Sequence, residues 1–358
     1  MSHMKTRDRF FKQVFKIFVF SAIVSAFTGI VFLNASAAES KPYDYLRIFY
    51  FRDGRLARES LFAHPNSIDV LAPQSYSFNS SGKFLGGINA TVLSFAKKNK
   101  IKIMPLVTNG NFSKAGYQAI LDDPVKQDLA IKSLVDEAQK KGYWGWQLDF
   151  EQMDVSYRDK YSAFAGKTFE ALKKNNLVFS VAVIAQVSDN PNDYPNDLWQ
   201  KTVGVYDYAA LAASADFISV MSYDDPESEG PVVEYSWLKR VLDYSLKLIP
   251  NKKLSLGIPL YYWQWDNETG ARVGIGGRQG IYNVFNKYKV STYYSADMEA
   301  AYLTYWRGAK QYTIWYENAQ SVTKKVELIK RYRLHGFSAW ALGLELPSIF
   351  NVVKNNNY

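Results

Sequence analysis

Hydrophobic and polar positions alternate in blocks along the chain after residue 40. Short runs rich in β-branched and aromatic residues are followed by longer stretches in which apolar residues recur every three or four positions. The first pattern is typical of buried strands, and the second is typical of amphipathic helices that pack on a sheet. The order of these blocks therefore predicts repeated βα units around a parallel sheet.

Eight segments have the composition of strands, and helical patterns lie between them. The predicted strands are Tyr45–Phe51, Ile68–Tyr76, Ile101–Val107, Gly145–Asp149, Leu177–Val183, Phe217–Met221, Leu254–Pro259 and Phe337–Ala341. The clearest helices are predicted at Pro124–Lys141, Tyr157–Lys174, Trp237–Leu248 and Val322–Tyr332. Eight such units favour an α/β fold of the (β/α)8 TIM-barrel type. An open Rossmann-type sheet is the alternative, but no Gly-x-Gly-x-x-Gly turn follows the first strand.

The connection between the seventh strand and its helix is too long for a simple crossover. Residues from about 261 to 318 are rich in Tyr, Trp and Gly. Loops that follow barrel strands lie at the C-terminal mouth, where barrel enzymes bind their substrates. We therefore predict a small insertion at the mouth of one barrel domain that spans residues 41–355.

The first 37 residues have the pattern of a secretory signal peptide. A cationic stretch ends at Lys16, an apolar run extends from Ile17 to Leu33, and Ala35-Ser36-Ala37 forms a small-x-small cleavage site. The apolar run is long for a signal peptide and short for a membrane span, so an uncleaved anchor is the alternative. In either case we expect a secreted, periplasmic or cell-envelope protein that meets the membrane only through this segment.

Composition narrows the classes of function. Hydrophobic residues make up 47% of the chain, enough for a large core. The chain has no cysteine, which excludes thiol catalysis and thiolate metal sites, and only His64 and His335 lie beyond the signal, which excludes a multi-histidine metal site. The formal net charge is +9, of which the signal segment carries +4, so the rest of the chain carries 9 − 4 = +5. This mild basic balance is compatible with an anionic polymer such as a cell wall, or else with a solvated surface without an electrostatic partner. No Arg-rich run or zinc-finger spacing suggests nucleic-acid binding.

The predicted fourth strand carries an unusual polar face. Because strand side chains alternate, Gln147, Asp149 and Glu151 share one face. Strands of a parallel barrel are normally apolar on both faces, so three polar groups are costly unless they bind one another or a ligand. Repulsion between the two carboxyls raises one pKa and keeps one acid protonated near neutral pH, as a glycosidase general acid requires. An edge strand with a solvated polar face is the alternative.

Several motifs fall in order on the predicted strands. Residues 144–151 read WGWQLDFE, residues 221–224 read MSYD, and Trp340 lies on the eighth strand. In this the chain resembles glycoside hydrolase family 18, the chitinase family, whose fourth-strand signature is DGxDxDxE and whose sixth-strand motif is MxYD. Trp144 and Gln147 depart from the signature. Residues 104–109, 315–319 and 342–348 resemble the spore cortex-lytic and cell-wall branch, where an amide often stands at the position of Gln147.

The resemblance implies substrate-assisted hydrolysis with retention, without a metal or cofactor. Glu151 would protonate the glycosidic oxygen and later deprotonate the incoming water, while the substrate's own 2-acetamido oxygen attacks. Asp149 would hold the acetamido N–H, and Tyr223 would hydrogen-bond its carbonyl. Asp224 would grip sugar hydroxyls, and Trp340 would form an apolar floor under the sugar.

Further candidates for sugar contacts lie on or near predicted strand ends. They are Gln147, Gln74, Tyr76, Asn109, Gln186, Tyr262 and Trp263. We predict a monomeric hydrolase that cleaves β-glycosidic bonds of an N-acetylglucosamine-containing polysaccharide of the peptidoglycan or chitin type. One alternative is a catalytically inactive, chitinase-like carbohydrate-binding protein, although such proteins commonly lack the glutamate. Another is an ordinary retaining glycosidase with a second carboxylate as nucleophile.

Overall fold

The computed structural model of the protein describes residues 43–354. The predicted signal segment, residues 1–37, lies outside this range. No helix within residues 43–354 is both long and apolar enough to cross a membrane.

Eight parallel strands form a closed barrel. They are Leu46–Phe51, Val70–Phe78, Leu106–Thr108, Gly145–Asp149, Val178–Ile184, Phe217–Met221, Leu254–Pro259 and Gly336–Trp340. Each pairs with the next along the chain, and the eighth pairs with the first, so the sheet has no open edge here. The predicted TIM barrel is confirmed, and the open Rossmann-type sheet is not observed.

The third strand is shorter than predicted. Instead of one strand over residues 101–107, the chain forms Lys102–Ile103 and Leu106–Thr108, and both segments pair with the second barrel strand. Pro105 lies between them and has no N–H to give to a ladder, which accounts for the break. Its carbonyl still accepts a hydrogen bond of 3.0 Å from the backbone N–H of Gln147. A short strand, Phe84–Gly86, pairs antiparallel with the end of the second barrel strand.

Helices flank the barrel strands. The α-helices outside the insertion are Arg55–Ala63, Ala90–Lys98, Lys114–Leu121, Pro124–Lys141, Arg158–Lys174, Tyr208–Ala213, Tyr235–Leu248, Ala319–Tyr332 and Phe350–Val353. Short 3-10 turns lie at Pro65–Ser67, Val155–Tyr157, Pro191–Asp193, Asn251–Lys253 and Pro347–Ile349, and a π-helical turn lies at Trp199–Val203. Pro124–Lys141 has the predicted bounds because its ends are capped locally. Asp123 accepts from two backbone N–H groups at the start, and Gly142 adopts a φ of 67° at the end.

The fourth strand separates an outer apolar face from an inner polar one. Trp146 is fully buried on the helix side, where its indole N–H donates to the carbonyl of Leu134 at 2.8 Å. Phe150 packs on the same side, 5.8 Å from the ring of Tyr161. At the start of the strand, a Cβ on Gly145 would lie 1.9 Å from the carbonyl oxygen of Val178, so only glycine allows this strand pair to approach. Gln147 and Asp149 consequently point into the barrel.

The insertion forms an antiparallel sheet of five strands with one helix. In spatial order the strands are Arg272–Gly276, Tyr262–Asp266, Lys310–Tyr316, Ala300–Arg307 and Val290–Ser295, and the helix is Arg278–Lys287. Leu303 and Ile314 on one face of the sheet pack against Ile281 and Val284 of that helix. The insertion lies between the seventh barrel strand and the helix Ala319–Tyr332, as predicted.

Candidate active site

Gln147 lies in the interior of the barrel, beneath the mouth. It is fully buried, and its amide nitrogen donates to the hydroxyls of Ser180 and Ser219, each at 2.9 Å. A hydroxyl pair between Ser219 and Ser338 at 2.8 Å continues this network to the eighth strand. The amide therefore cross-links strands in the barrel core. The structure does not place it as the predicted sugar contact, because the side chain is fully buried and its amide nitrogen donates to serines of other strands.

Asp149 and Glu151 occupy the carboxyl end of the fourth strand. Asp149 is 2% exposed and accepts a long hydrogen bond of 3.4 Å from the amide of Gln74, a predicted site residue that the structure brings to this centre. Burial raises the pKa of Asp149 to about 6. Burial, and then the charges of Asp149 and Asp224, raise the pKa of Glu151 to about 8. Glu151 is thus a carboxyl group that stays protonated at neutral pH, where it can serve as a proton donor.

Asn109 fixes the backbone on which Glu151 stands. Its amide nitrogen donates to the carbonyl of Glu151 at 2.9 Å, and its carbonyl oxygen accepts from the N–H of Glu151 at 3.0 Å. Tyr206 adds a hydrogen bond of 2.7 Å from its hydroxyl to the carbonyl of Phe150. Asn109 was predicted as a sugar contact, but it is fully buried and its amide hydrogen-bonds the backbone of Glu151, which positions the acid.

The sixth strand brings Tyr223 and Asp224 to the same mouth. Asp224 has a φ of 59°, a left-handed conformation that turns the chain directly after the strand. Its carboxylate accepts a hydrogen bond of 2.5 Å from the hydroxyl of Tyr261, and burial raises its pKa. The ring of Tyr223 lies close to Gly257, where an added Cβ would come within 3.0 Å of it. The glycine of the seventh strand therefore leaves room for this tyrosine.

A cavity of about 260 Å³ lies against these groups. Its lining includes Glu151, Tyr223 and Asp224, with Met221 and Trp237 as apolar walls. Trp340 lies at the end of the eighth strand, half-buried, with its ring 5.2 Å from that of Tyr50. The structure thus gathers an acid, flanking carboxyls and a tyrosine hydroxyl around a space at the barrel mouth.

Three of the predicted contacts lie away from the cavity, and a fourth is covered by another side chain. Tyr76 packs on the helix side, where its hydroxyl donates to Glu137 at 2.9 Å. Tyr262 belongs to the apolar core of the insertion. Gln186 is buried and donates to the carbonyls of residues 203 and 206, each at 2.9 Å. Trp263 is near the mouth but 3% exposed, covered by the guanidinium of Arg272. These residues were chosen for nearness to strand ends, which does not decide the direction of a side chain.

Tyr261 is a site residue that the sequence prediction missed. Its hydroxyl holds Asp224, and its ring lies edge-on to Tyr223 at 6.3 Å. The signal for it was present, since Tyr261 follows the seventh strand by two positions and the carboxyl ends of all barrel strands meet at the mouth.

The sequence model of glycosyl hydrolases family 18 matches residues 30–345. The chain belongs to this family. It is therefore a family 18 glycosidase, and the predicted resemblance is confirmed. The signature departs from the family pattern at Trp144 and Gln147, and the structure shows that the amide of Gln147 donates to serine hydroxyls on the fifth and sixth strands.

Similar proteins include both cell-wall enzymes and chitinases. The uncharacterized glycosylase YvbX of Bacillus subtilis (strain 168) is 28% identical over 92% of this chain and 96% of its own length. The cortical fragment-lytic enzyme of the same organism is 25% identical over 80% of this chain and 69% of its own. The crystal structure of a chitinase from Chromobacterium violaceum ATCC 12472 superposes with a TM-score of 0.77 at 28% identity, covering 87% of this chain and 98% of that one.

Proposed function

We propose that this family 18 protein hydrolyses β-glycosidic bonds of N-acetylglucosamine-containing glycans, of the peptidoglycan or chitin type, with retention of configuration. The observation that carries the proposal is the half-buried carboxyl of Glu151, whose pKa is raised to about 8, beside Tyr223 and Asp224 at a cavity in the barrel mouth. A general acid for a sugar leaving group has to be protonated at the working pH and open to a bound substrate. Glu151 meets both conditions.

The first step consumes the proton of Glu151. The proton passes to the glycosidic oxygen as its bond to the anomeric carbon breaks, and the acetamido carbonyl oxygen of the same sugar forms a new bond to that carbon. The intermediate is a cyclic oxazolinium ion. Asp149, two residues along the strand, accepts the acetamido N–H and stabilises the positive charge, and Tyr223 donates to the acetamido oxygen before it attacks.

The second step restores the acid. The carboxylate of Glu151 takes a proton from a water molecule whose oxygen bonds to the anomeric carbon, and the oxazolinium ring reopens to the acetamido group. Two displacements at one carbon give overall retention. In this scheme Asp224, held by Tyr261, binds sugar hydroxyls, and Trp340 packs on the sugar ring.

The carboxyl of Glu151 also argues against the binding-only alternative. A carbohydrate-binding protein without catalysis has no need for a buried, protonated carboxyl group, because such a group costs free energy of desolvation. The clamp from Asn109 onto both backbone groups of Glu151 adds to this, since it orients the acid toward the cavity.

The deciding experiment compares Glu151→Gln with wild type on chitin oligomers and on purified peptidoglycan, with product masses as readout. Glutamine keeps the shape but supplies no proton, so we expect turnover to fall by about 10²–10⁴-fold with binding retained. Glu170→Gln, at an exposed carboxylate on the outer helix Arg158–Lys174, is the matched control. Near-full activity of Glu151→Gln would disprove the assignment, and a wild type that binds but never cleaves would favour the lectin alternative.

Substrate assistance has its own test. Oligomers with free amines in place of acetamido groups lack the internal nucleophile, so they should bind but turn over very slowly. Equal rates on acetylated and fully deacetylated oligomers would instead indicate a carboxylate nucleophile.

We also propose that the protein acts outside the cytoplasm. The support is the cationic, apolar and small-x-small order of residues 1–37. N-terminal sequencing of the protein recovered from cell fractions tests this, with Ala38 as the expected first residue if the signal is cleaved. Recovery of the intact chain in the cytoplasm would refute it.

A further inference from the structure

A basic side chain without an acidic partner lies near the rim of the candidate site. Arg272 begins the edge strand of the insertion sheet, and its guanidinium lies 3.9 Å from the ring centre of Trp263 on the paired strand. The side chain is exposed, and within residues 43–354 it forms no hydrogen bond and no ion pair with a carboxylate. A guanidinium on an indole face is held in place without using its N–H groups. Those donors remain available to a ligand.

Contacts through Trp263 and Tyr261 link this arginine to Asp224 at the barrel mouth. Trp263 follows Tyr261 by two residues, and the hydroxyl of Tyr261 donates to Asp224 at 2.5 Å. The charge of Arg272 acts on Asp224, where it opposes the rise in pKa that burial causes. Asp224 in turn lines the cavity together with Glu151. The guanidinium is therefore within electrostatic reach of a sugar bound at the mouth.

The chemistry of this arrangement favours an acidic ligand. Chitin strands are neutral and offer a guanidinium only hydroxyl and acetamido oxygens, whereas a carboxylate offers it stronger, charge-assisted hydrogen bonds. An anionic strand would meet the negative charges of Asp149 and Asp224 and be repelled unless a positive group stands close by. Arginine is suited to this task because its planar fork donates two parallel hydrogen bonds to one carboxylate.

We propose that Arg272 binds the carboxylate of an acidic N-acetyl sugar adjacent to the cleaved bond, and that it makes the protein selective for peptidoglycan-type over chitin-type strands. In peptidoglycan every second sugar carries an ether-linked carboxylate, which is free once the peptide has been removed. This inference rests on the proposed glycosidase function and narrows its substrate class.

The test uses three substrates of similar length: peptide-free peptidoglycan strands, the same strands with their carboxylates converted to neutral methylamides, and chitin oligomers. We expect the wild type to prefer the acidic strands. Hydrogen bonds to a charged group contribute about 1.5–3 kcal/mol, so Arg272→Gln should lower kcat/KM on the acidic strands by about 10–100-fold. On the methylamide strands and on chitin the change should stay below about 2-fold. Arg272→Lys keeps the positive charge but not the planar fork, so its kcat/KM on the acidic strands should lie between those of the wild type and Arg272→Gln.

The insertion provides a matched control. The guanidinium of Arg307 lies 4.6 Å from the ring centre of Tyr312, on a different hairpin of the same sheet. Arg307→Gln removes a cation–π contact of the same kind, together with a hydrogen bond of 2.9 Å to the hydroxyl of Tyr312. It should alter neither activity nor substrate preference. Equal losses for Arg272→Gln on acidic and neutral strands would overturn the inference, because they would indicate a structural role. No loss on any strand would overturn it as well.

A binding measurement separates this inference from the proposed function. Calorimetric titration of the acidic strands into Glu151→Gln, with and without Arg272→Gln, reports recognition without cleavage. A drop in affinity of about 10-fold or more that is confined to the acidic strands supports the inference even if the wild type cleaves none of the substrates. Equal affinities of the two proteins for the acidic strands would refute it, whatever the wild type cleaves.

Discussion

Replacing Asp149 with asparagine tests the electrostatic coupling between the two carboxyls of the fourth strand. Asparagine has nearly the same shape, and its carbonyl oxygen can still accept the hydrogen bond from Gln74. The negative charge beside Glu151 is lost. Because that charge contributes to the raised pKa of Glu151, its removal should lower the pKa of the acid.

The magnitude follows from the spacing of the strand. Two residues along a strand are separated by about 6.6 Å, and two unit charges at that distance interact by about 2.5 kcal/mol at an effective dielectric constant of about 20. One pKa unit corresponds to about 1.4 kcal/mol, so the full effect is a fall of roughly 2 in the pKa of Glu151. Near pH 8, where Glu151 titrates, Asp149 with its pKa of about 6 is almost fully ionised, so its whole charge acts on the acid. Burial is a larger cause of the raised pKa of Glu151 than this charge, so we expect a fall of about 1 to 2.

The sign of the pH effect is fixed by the role of the acid. Glu151 is active when protonated, so activity is lost as the pH rises through its pKa, at about 8 in the wild type. The high-pH limb of kcat/KM should therefore move to lower pH in Asp149→Asn, and kcat should also fall because the cationic intermediate loses a stabilising charge.

The assay is the pH dependence of kcat/KM on one N-acetylglucosamine oligomer between about pH 4 and pH 10. Asp128→Asn, at an exposed carboxylate on the helix Pro124–Lys141, is the control and should leave the profile unchanged. A high-pH limb that stays in place or moves upward in Asp149→Asn would refute the reasoning. It would mean either that Glu151 is not the acid or that Asp149 is not charged beside it.

Two further substitutions test what positions the site. Asn109→Ala leaves the backbone N–H and carbonyl of Glu151 without their side-chain partner, so it should lower the free energy of unfolding by about 2–4 kcal/mol, as measured by urea denaturation. In steady-state kinetics it should reduce kcat more than it raises KM. An unchanged kcat would contradict the positioning role. Glu345→Ala removes a fully buried carboxylate that accepts from Arg278 at 3.3 Å and from the N–H of Gly343 at 2.6 Å. Arg278 keeps Glu59 as a second carboxylate partner at 3.5 Å, so the expected loss is that of the hydrogen bonds to Glu345, about 1–3 kcal/mol of stability in guanidinium denaturation. A loss below about 0.5 kcal/mol would show that Glu345 does not stabilise the contact between the helix Arg278–Lys287 and the barrel.

The barrel itself was predictable from the sequence, because its elements are specified by local patterns. The helix Pro124–Lys141 has the predicted bounds since Asp123 and Gly142 cap it from adjacent positions. The alternation of polar residues on the fourth strand correctly predicted that its polar side chains face into the barrel, because side chains two residues apart on a strand point to the same side. The motif at residues 221–224 also lies at the mouth as expected, since it ends a strand.

The partners and side-chain directions of residues around the site were decided only by tertiary structure. Asn109 follows the third strand, and nothing near it in sequence reveals that its amide meets the backbone of Glu151, 42 residues away. Tyr76 lies near a strand end, but the packing of Trp146 and Glu137 places its side chain on the helix side.

The insertion makes the same point at a larger scale. Its aromatic and glycine-rich composition predicted a rim element, but the register between Trp263 and the strand of Arg272 decided where a guanidinium lies relative to the catalytic carboxyls. The sequence by itself therefore determined the elements, their order and the presence of an acidic strand end, because these depend on residues a few positions apart. Partners, buried charges and side-chain directions at the mouth depend on contacts between distant strands, and only the folded barrel brings those strands together.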